Sequence, residues 1–294
     1  MKTALITSGG GAKGAFSVGA LLALRDSGKA SFDIISGTST GALIAALAAV
    51  GKYDELRHEY LNVTNQDILQ SQNLIQNLSQ GKPYFYSTIP LEEKIRTYIT
   101  DADYNQIKAS NMTLCFTAIS LQTGEITVFS TKPFTPVKND YVVKEITSGE
   151  MLRKAVSASS NQAAFLPPVT IDGEQYVDGG NREVLPSRAP VDLGAELVYA
   201  LSNNPLSLAP GKNNYTSVLD VLVRSISVFI HDVRTNDYEY LDRSNAQVVK
   251  IQPNVDLDKN NPTGLYFDSG LMGTWMSLGY QHAQAAIGSS SNPV

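Results

Sequence analysis

Three groups of residues have the types and spacing for chemistry at a carbonyl carbon. Ser39 stands in Gly37-Thr38-Ser39-Thr40-Gly41, with the apolar run 32–35 before it and the small-residue stretch 42–50 after it. That setting predicts a serine on a sharp strand-to-helix turn, flanked by glycines because side chains there would clash. The helix that follows turns its positive end toward charge developing at the hydroxyl. An ordinary turn with a helix-capping serine fits the same pentapeptide. The second group is Ser8-Gly9-Gly10-Gly11-Ala12-Lys13-Gly14, directly after a short strand over 3–7. Glycines there let backbone N–H groups converge on one spot, where a phosphate or an oxyanion could sit. The third is Asp178-Gly179-Gly180, a carboxylate at the end of a strand on a glycine turn.

Histidine is the missing partner for a triad. His58, His231 and His282 all fall in helical patterns, and none lies on a strand-end turn. A Ser-His-Asp arrangement is therefore poorly supported. Two residues remain, with Asp178 taking the Ser39 proton directly. A carboxylate of ordinary pKa is a weak base at neutral pH, so this arrangement requires burial of Asp178.

The glycine turn also satisfies G-x-G-x-x-G, and Asp33 follows about 20 residues on, as in dinucleotide sites. In those sites the acid ends the second strand, whereas Asp33 precedes Ile34 and Ile35 near its start. Asp33 reads better as a structural acid. A P-loop fails as well, because Lys13 is followed by Gly14 and Ala15.

The elements that must position these groups alternate strand and helix from the outset. A strand over 3–7, a helix over 15–27 and a second strand entering the Ser39 turn imply parallel pairing through a right-handed crossover. Both glycine-rich turns then fall at the C-terminal edge of the sheet, where such folds place their sites. Residues 53–80 read as polar and helix-prone, and Pro90 opens a helix to 99. Strands are expected over 113–121 and 125–131 about Gln122-Thr123-Gly124, and over 169–171 and 175–177 about Asp172-Gly173. Helices are expected over 148–157, 217–241 and 271–286, and strands over 197–201 and 247–251. With 294 residues and no linker, the chain reads as one domain over 1–288 with a disordered tail over 289–294.

Composition narrows the function classes. A net charge of −5, with no Lys/Arg run, argues against a nucleic-acid footprint. The single cysteine, Cys115, excludes an internal disulfide and sits in an apolar run as a buried structural thiol. No metal is required, and the scattered acids form no calcium loop. The longest uninterrupted apolar run, 42–50, is half a membrane span, and no signal-peptide core is present. The expectation is a cytoplasmic protein whose contact with a bilayer is peripheral.

Taken together, the motifs resemble those of the patatin-like phospholipases. The resemblance rests on the glycine turn, on 33–42, on Ala155-Val156-Ser157-Ala158-Ser159 and on Tyr176-Val177-Asp178-Gly179-Gly180, in the family's order. Softer matches are 121–125, 192–195 and Leu278-Gly279-Tyr280. The resemblance implies a three-layer α/β/α sandwich with a mostly parallel central sheet and no cofactor. It implies Ser39 as nucleophile, Asp178 as its dyad partner, and Gly9, Gly10 and Gly11 as the oxyanion hole. Lys13 takes the basic position beside that hole, either touching a lipid headgroup or paired with solvent or a carboxylate. The chain departs from the family pattern at Ala163, where a proline is usual, and at Leu166, directly before Pro167 and Pro168. Residues 63–87 match nothing in it.

The activity expected is hydrolysis of lipid carboxylic esters, of phospholipase A or lysophospholipase type, through an acyl-enzyme. A water-soluble carboxylesterase or an acyltransferase would use the same residues. A non-catalytic nucleotide-binding or regulatory protein of this fold is the reading from another class. Tyr84-Phe85-Tyr86, and Leu265-Tyr266-Phe267 with Leu271, Met272, Trp275 and Met276, are candidates for an apolar lid, the second set fitting core packing better.

Overall fold

The computed structural model describes residues 1–71, 79–82, 84–208, 210–258 and 263–289. Its first part follows the strand-helix alternation of the sequence: β1 (Thr3–Thr7), α1 (Gly14–Asp26), β2 (Ile34–Thr38) and α2 (Thr40–Ala48). Then come α3 (Tyr53–Asn62), α4 (Asn65–Ile68), and a two-stranded sheet of β3 (Gln70–Ser71) and β4 (Tyr86–Ser87). The helix-prone stretch 53–80 is thus broken, and the break has a local cause. Thr64 caps a new helix in a capping box with Asp67, whose carboxylate accepts the Thr64 N–H at 2.8 Å. The remainder of that stretch, 72–78, lies outside the described residues.

The chain continues with α5 (Ile89–Tyr98), α6 (Asp101–Ala109), β5 (Thr113–Ser120), β6 (Ile126–Ser130) and β7 (Val142–Glu145). Next are α7 (Gly149–Ser160), β8 (Val169–Ile171), β9 (Glu174–Asp178), α8 (Arg188–Asp192), β10 (Leu197–Leu201), α9 (Val218–Asp242), β11 (Gln247–Ile251) and α10 (Ser269–Ser289). The short elements α6, β7 and α8 had no counterpart in the sequence reading. Of the tail expected over 289–294, Ser289 ends α10 and the rest lies outside the described residues.

The main sheet has nine strands along the path β11-β10-β1-β2-β5-β6-β7, with β9 also on β5 and β8 on β9. From β11 to β5 the strands are parallel, while β6 and β9 run antiparallel to β5. Alternate side chains feed two cores. On one face Leu5, Ile35, Leu114 and Phe116 pack under α1, α2, α7 and α10. On the other, Ala4, Ile6 and Ile34 meet Leu185 and the C-terminal half of α9 through Tyr238 and Leu241. The result is the expected three-layer α/β/α sandwich of the patatin-like fold, with a mostly parallel sheet. Cys115 is buried in β5, and burial pushes its thiol up to about 12, which keeps it unreactive.

Candidate active site

Strand β5 acts as the ruler that brings the two distant motifs together. Its first half pairs with β2, ending at Thr38 opposite Thr117; its second half pairs with β9, with Asp178 opposite Ala118. β2 runs parallel to β5 and β9 antiparallel, so their C-terminal ends meet head-on at adjacent rungs. Ser39 leaves one end and Asp178 closes the other.

Ser39 has φ 59° and ψ −130°, a conformation that L-residues rarely adopt and that lifts its side chain clear of the strand. The flanking glycines make the turn fit. A Cβ at Gly37 would lie 2.2 Å from the Gly41 carbonyl oxygen, and one at Gly41 would lie 2.2 Å from that of Thr7. Although Ser39 occupies the N-cap position of α2, its hydroxyl does not cap the helix. Instead it lies near enough to the Asp178 carboxyl to draw that group's pKa down. The Ser39 N–H is held by Ser159 Oγ at 3.1 Å, and Ser159 in turn donates to the Thr117 carbonyl at 2.7 Å. The second serine of Ala155-Val156-Ser157-Ala158-Ser159 thus ties α7 to β5 and to the turn, a role that its sequence context left open.

Asp178 is 6% exposed. Its Oδ1 accepts the Gly180 N–H at 2.7 Å, and its own N–H donates to the Asn161 carbonyl at 3.0 Å. Burial pushes the carboxyl up to about 6, and the nearby Ser39 side chain and the Gly180 N–H only partly offset that. The three histidines lie on helices, as expected, and their ring nitrogens face Asn62, Arg234 and the Gln252 carbonyl. Asp33 accepts the Thr3 N–H at 2.7 Å and so braces the start of β1.

The glycine turn differs from the expectation at one position. The Gly9 N–H donates to the Val184 carbonyl at 3.1 Å, so it is not available to an oxyanion. Gly10 and Gly11, with φ 151° and 57°, carry N–H groups that have no acceptor among the described residues. What Gly9 supplies is room: a Cβ there would lie 3.0 Å from the Ser39 Cβ. The peptide whose carbonyl holds Gly9 is itself held, because the Leu185 N–H at its other end donates to buried Asp237 at 2.9 Å. Asn203, after β10, accepts from Ser17 Oγ at 2.7 Å and donates to the Ser8 carbonyl at 2.9 Å, fixing the turn from the other side. Neither Asp237 nor Asn203 carries a sequence signal; both act through contacts that only the fold creates.

Lys13 is buried, not solvated. Its Nζ donates to Asn204 Oδ1 at 2.7 Å and lies 4.0 Å from Asp256. Burial lowers its pKa, Asp256 opposes that, and the Arg234 charge lowers it further.

Gly10, Gly11, Lys13, Ser39 and Asp178 all line one cavity of about 760 Å³, within the size range of small-molecule sites. Its apolar wall includes Leu43, Leu56, Ile95, Phe165 and Ile226. Of the lid candidates, Met272, Trp275 and Met276 are buried in the core, while Leu265 and Phe267 line the cavity. Phe85 packs on Phe165 with ring centroids 5.6 Å apart, behind that wall. Pro83, beside it, lies outside the described residues.

The family model for patatin-like phospholipases matches residues 5–209. The chain belongs to the patatin-like phospholipase family. The match contains Ser39, Asp178 and the glycine turn, and leaves α9, β11 and α10 beyond it. An uncharacterized NTE family protein of Mycobacterium tuberculosis is 27% identical over 234 residues, 77% of this chain and 57% of that protein. Lysophospholipase NTE1 of Kluyveromyces lactis is 23% identical over 223 residues, 74% of this chain and 14% of that protein. The chain therefore spans less than two thirds of the length of these relatives. Among solved structures, VipD from Legionella pneumophila aligns with a TM-score of 0.47 and 13% identity, over 98% of this chain and 67% of that one. Among the described residues no helix is long and apolar enough to cross a membrane, and no cluster of side chains is placed to hold a metal ion.

Proposed function

We propose that the protein hydrolyses lipid carboxylic esters, as a phospholipase A or lysophospholipase, through a Ser39–Asp178 dyad. The observation that carries this reading is the meeting of the Ser39 turn and the buried Asp178 carboxylate at adjacent rungs of β5, with both residues lining one largely apolar cavity. A carboxyl titrating at about 6 is ionised at neutral pH yet basic enough to accept a proton as the bond to carbon forms.

Ser39 Oγ attacks the ester carbonyl while its proton passes to Asp178. The carbonyl oxygen takes up negative charge and is met by the Gly10 and Gly11 N–H groups, with the dipole of α1 behind them. Asp178 gives the proton to the departing alcohol oxygen, leaving the acyl group on Ser39. In the second half, Asp178 takes a proton from water, the hydroxide oxygen attacks the acyl carbon, and the proton returns to Ser39 as the fatty acid leaves.

Lipid has to reach this cavity. The outer stripe of α9, Val218, Val221, Leu222 and Phe229, is exposed at helical spacing, while Val223, Ile226 and Ile230 on its other side line the cavity. An amphipathic helix with apolar groups outward suits peripheral contact with a lipid layer, and the reading is of a cytoplasmic protein that docks there.

A fluorophosphonate probe tests the dyad. Covalent labelling of the native protein that is lost in Ser39→Ala and strongly slowed in Asp178→Asn is the expected result. Equal labelling of Ser39→Ala would refute the assignment of the nucleophile. Release of fatty acid from defined phospholipids and lysophospholipids then identifies the ester class.

A further inference from the structure

Arg234 is a buried cation that makes no ion-pair contact among the described residues, although the charges of Asp256 and Asp237 act on it from further off. It lies on α9, beyond the stretch matched to the family, is 5% exposed, and lines the same cavity as Ser39 and Asp178. Its Nη2 donates to the Pro205 carbonyl at 2.7 Å and to His231 Nδ1 at 2.9 Å. Burial and the neighbouring guanidinium hold His231 below its ordinary pKa, which suits an acceptor nitrogen. Among the described residues Arg234 makes no ion pair, although a guanidinium has five N–H donors to satisfy. The nearby Asp237 is engaged elsewhere, by the Val184 and Leu185 N–H groups and by Arg188 at 3.6 Å.

Lys13 is the second cation. It too is 5% exposed and lines the cavity, and its nearest carboxylate is Asp256, at 4.0 Å. Asn204 holds Lys13 and Pro205 holds Arg234, so one turn after β10 fixes both. Asn203, in the same turn, braces the glycine loop beside Ser39. The charges of Asp256 and Asp258 act on Lys13, and those of Asp256 and Asp237 on Arg234. Yet among the described residues the one ion-pair contact that either cation makes is Lys13–Asp256 at 4.0 Å. An anion bridging the two desolvated cations would therefore be stabilised.

We propose that Arg234 and Lys13 form an anion subsite that takes the phosphate of the substrate, giving preference to phosphate-bearing over neutral acyl esters. The proposal rests on the hydrolase reading above. Arg234 supplies a planar fork for two phosphate oxygens and Lys13 a point charge for the third. The fixed turn sets how far the phosphate lies from the ester that reaches Ser39.

The test uses the full chain and two monomeric substrates, dihexanoyl phosphatidic acid and p-nitrophenyl hexanoate. In Arg234→Met the ratio of kcat/KM for the phosphate ester to that for the neutral ester should fall about 10- to 100-fold, mainly through KM. Arg234→Lys should recover part of it, and Lys13→Met should lower the same ratio. A merely structural Arg234 would depress both substrates alike, and an unchanged ratio overturns the proposal. Inorganic phosphate separates a headgroup site from a free-phosphate site. Weak competition by phosphate, relieved in Arg234→Met, sustains the proposal; phosphate binding at Arg234 that leaves phospholipid turnover untouched overturns it. Should the native protein cleave neither ester, calorimetry with dihexanoyl phosphatidic acid still reads the subsite. Saturable binding weakened about tenfold or more by Arg234→Met sustains it, and absence of binding ends it.

Discussion

Replacing Asp178 by Asn should abolish turnover and stabilise the protein, increasingly so as pH rises. Burial sets the Asp178 carboxyl at about 6 against an ordinary 3.8. Between those values the folded protein holds a proton that the unfolded chain has lost, so this group's contribution to stability falls as pH climbs through that window. Ionising it inside the fold costs about 3 kcal/mol once the pH is above both values. Asparagine carries no charge and keeps an oxygen for the Gly180 N–H, now bonded at 2.7 Å to Asp178. Weaker bonds to a neutral acceptor return about 1 kcal/mol, leaving the variant about 2 kcal/mol more stable at alkaline pH. The decisive quantity is the change in the offset between variant and native protein, about 1.5 kcal/mol from pH 5 to pH 8. Urea unfolding at both pH values, at one ionic strength, measures it. An offset that is flat, or that shrinks toward alkaline pH, would refute a desolvated carboxylate at this position.

Four further outcomes are expected. Ser39→Gly removes the strain of φ 59° at the turn and should raise stability by about 1 kcal/mol while eliminating probe labelling, read by thermal melts and gel fluorescence. The kcat/KM profile should lose activity below pH ~6 as Asp178 takes up its proton; a profile level to pH 5 would exclude it as the base. Gly11→Ala places a Cβ 2.1 Å from the Gly264 carbonyl oxygen at φ 57°, and the displaced amides should cost about 10²- to 10³-fold in kcat. Val221→Ser combined with Phe229→Ser should reduce co-flotation with phospholipid vesicles, with hydrolysis of a monomeric ester as the control for folding.

The turn around Ser39, the glycine loop and Asp178-Gly179-Gly180 are legible in the chain because each is a local backbone problem. A glycine is needed wherever a Cβ would strike a carbonyl, and that need leaves its mark within a few residues. The buried strands too are legible, since burial on both faces demands continuous apolar runs, whereas the half-exposed β7 leaves no such run. The break at Thr64 is not legible there, because a capping box inside a helix-prone stretch competes with propensity only once Thr64 and Asp67 are in register.

Other features depend on registers between distant segments. Asp178 reaches Ser39 because β2 and β9 share one edge of β5 at adjacent rungs, and pairing of that kind is set by long-range packing. The Gly9 N–H is taken by Val184, and Val184 is held by Asp237, some fifty residues further along. The burial that raises the Asp178 pKa and that encloses Arg234 is likewise a property of the assembled sandwich. Residue types and local spacing specify which groups can react, because backbone sterics act over a few bonds. How basic the carboxylate is, which amides stay free and what charge faces the substrate come from desolvation and pairing, which exist only when the layers close.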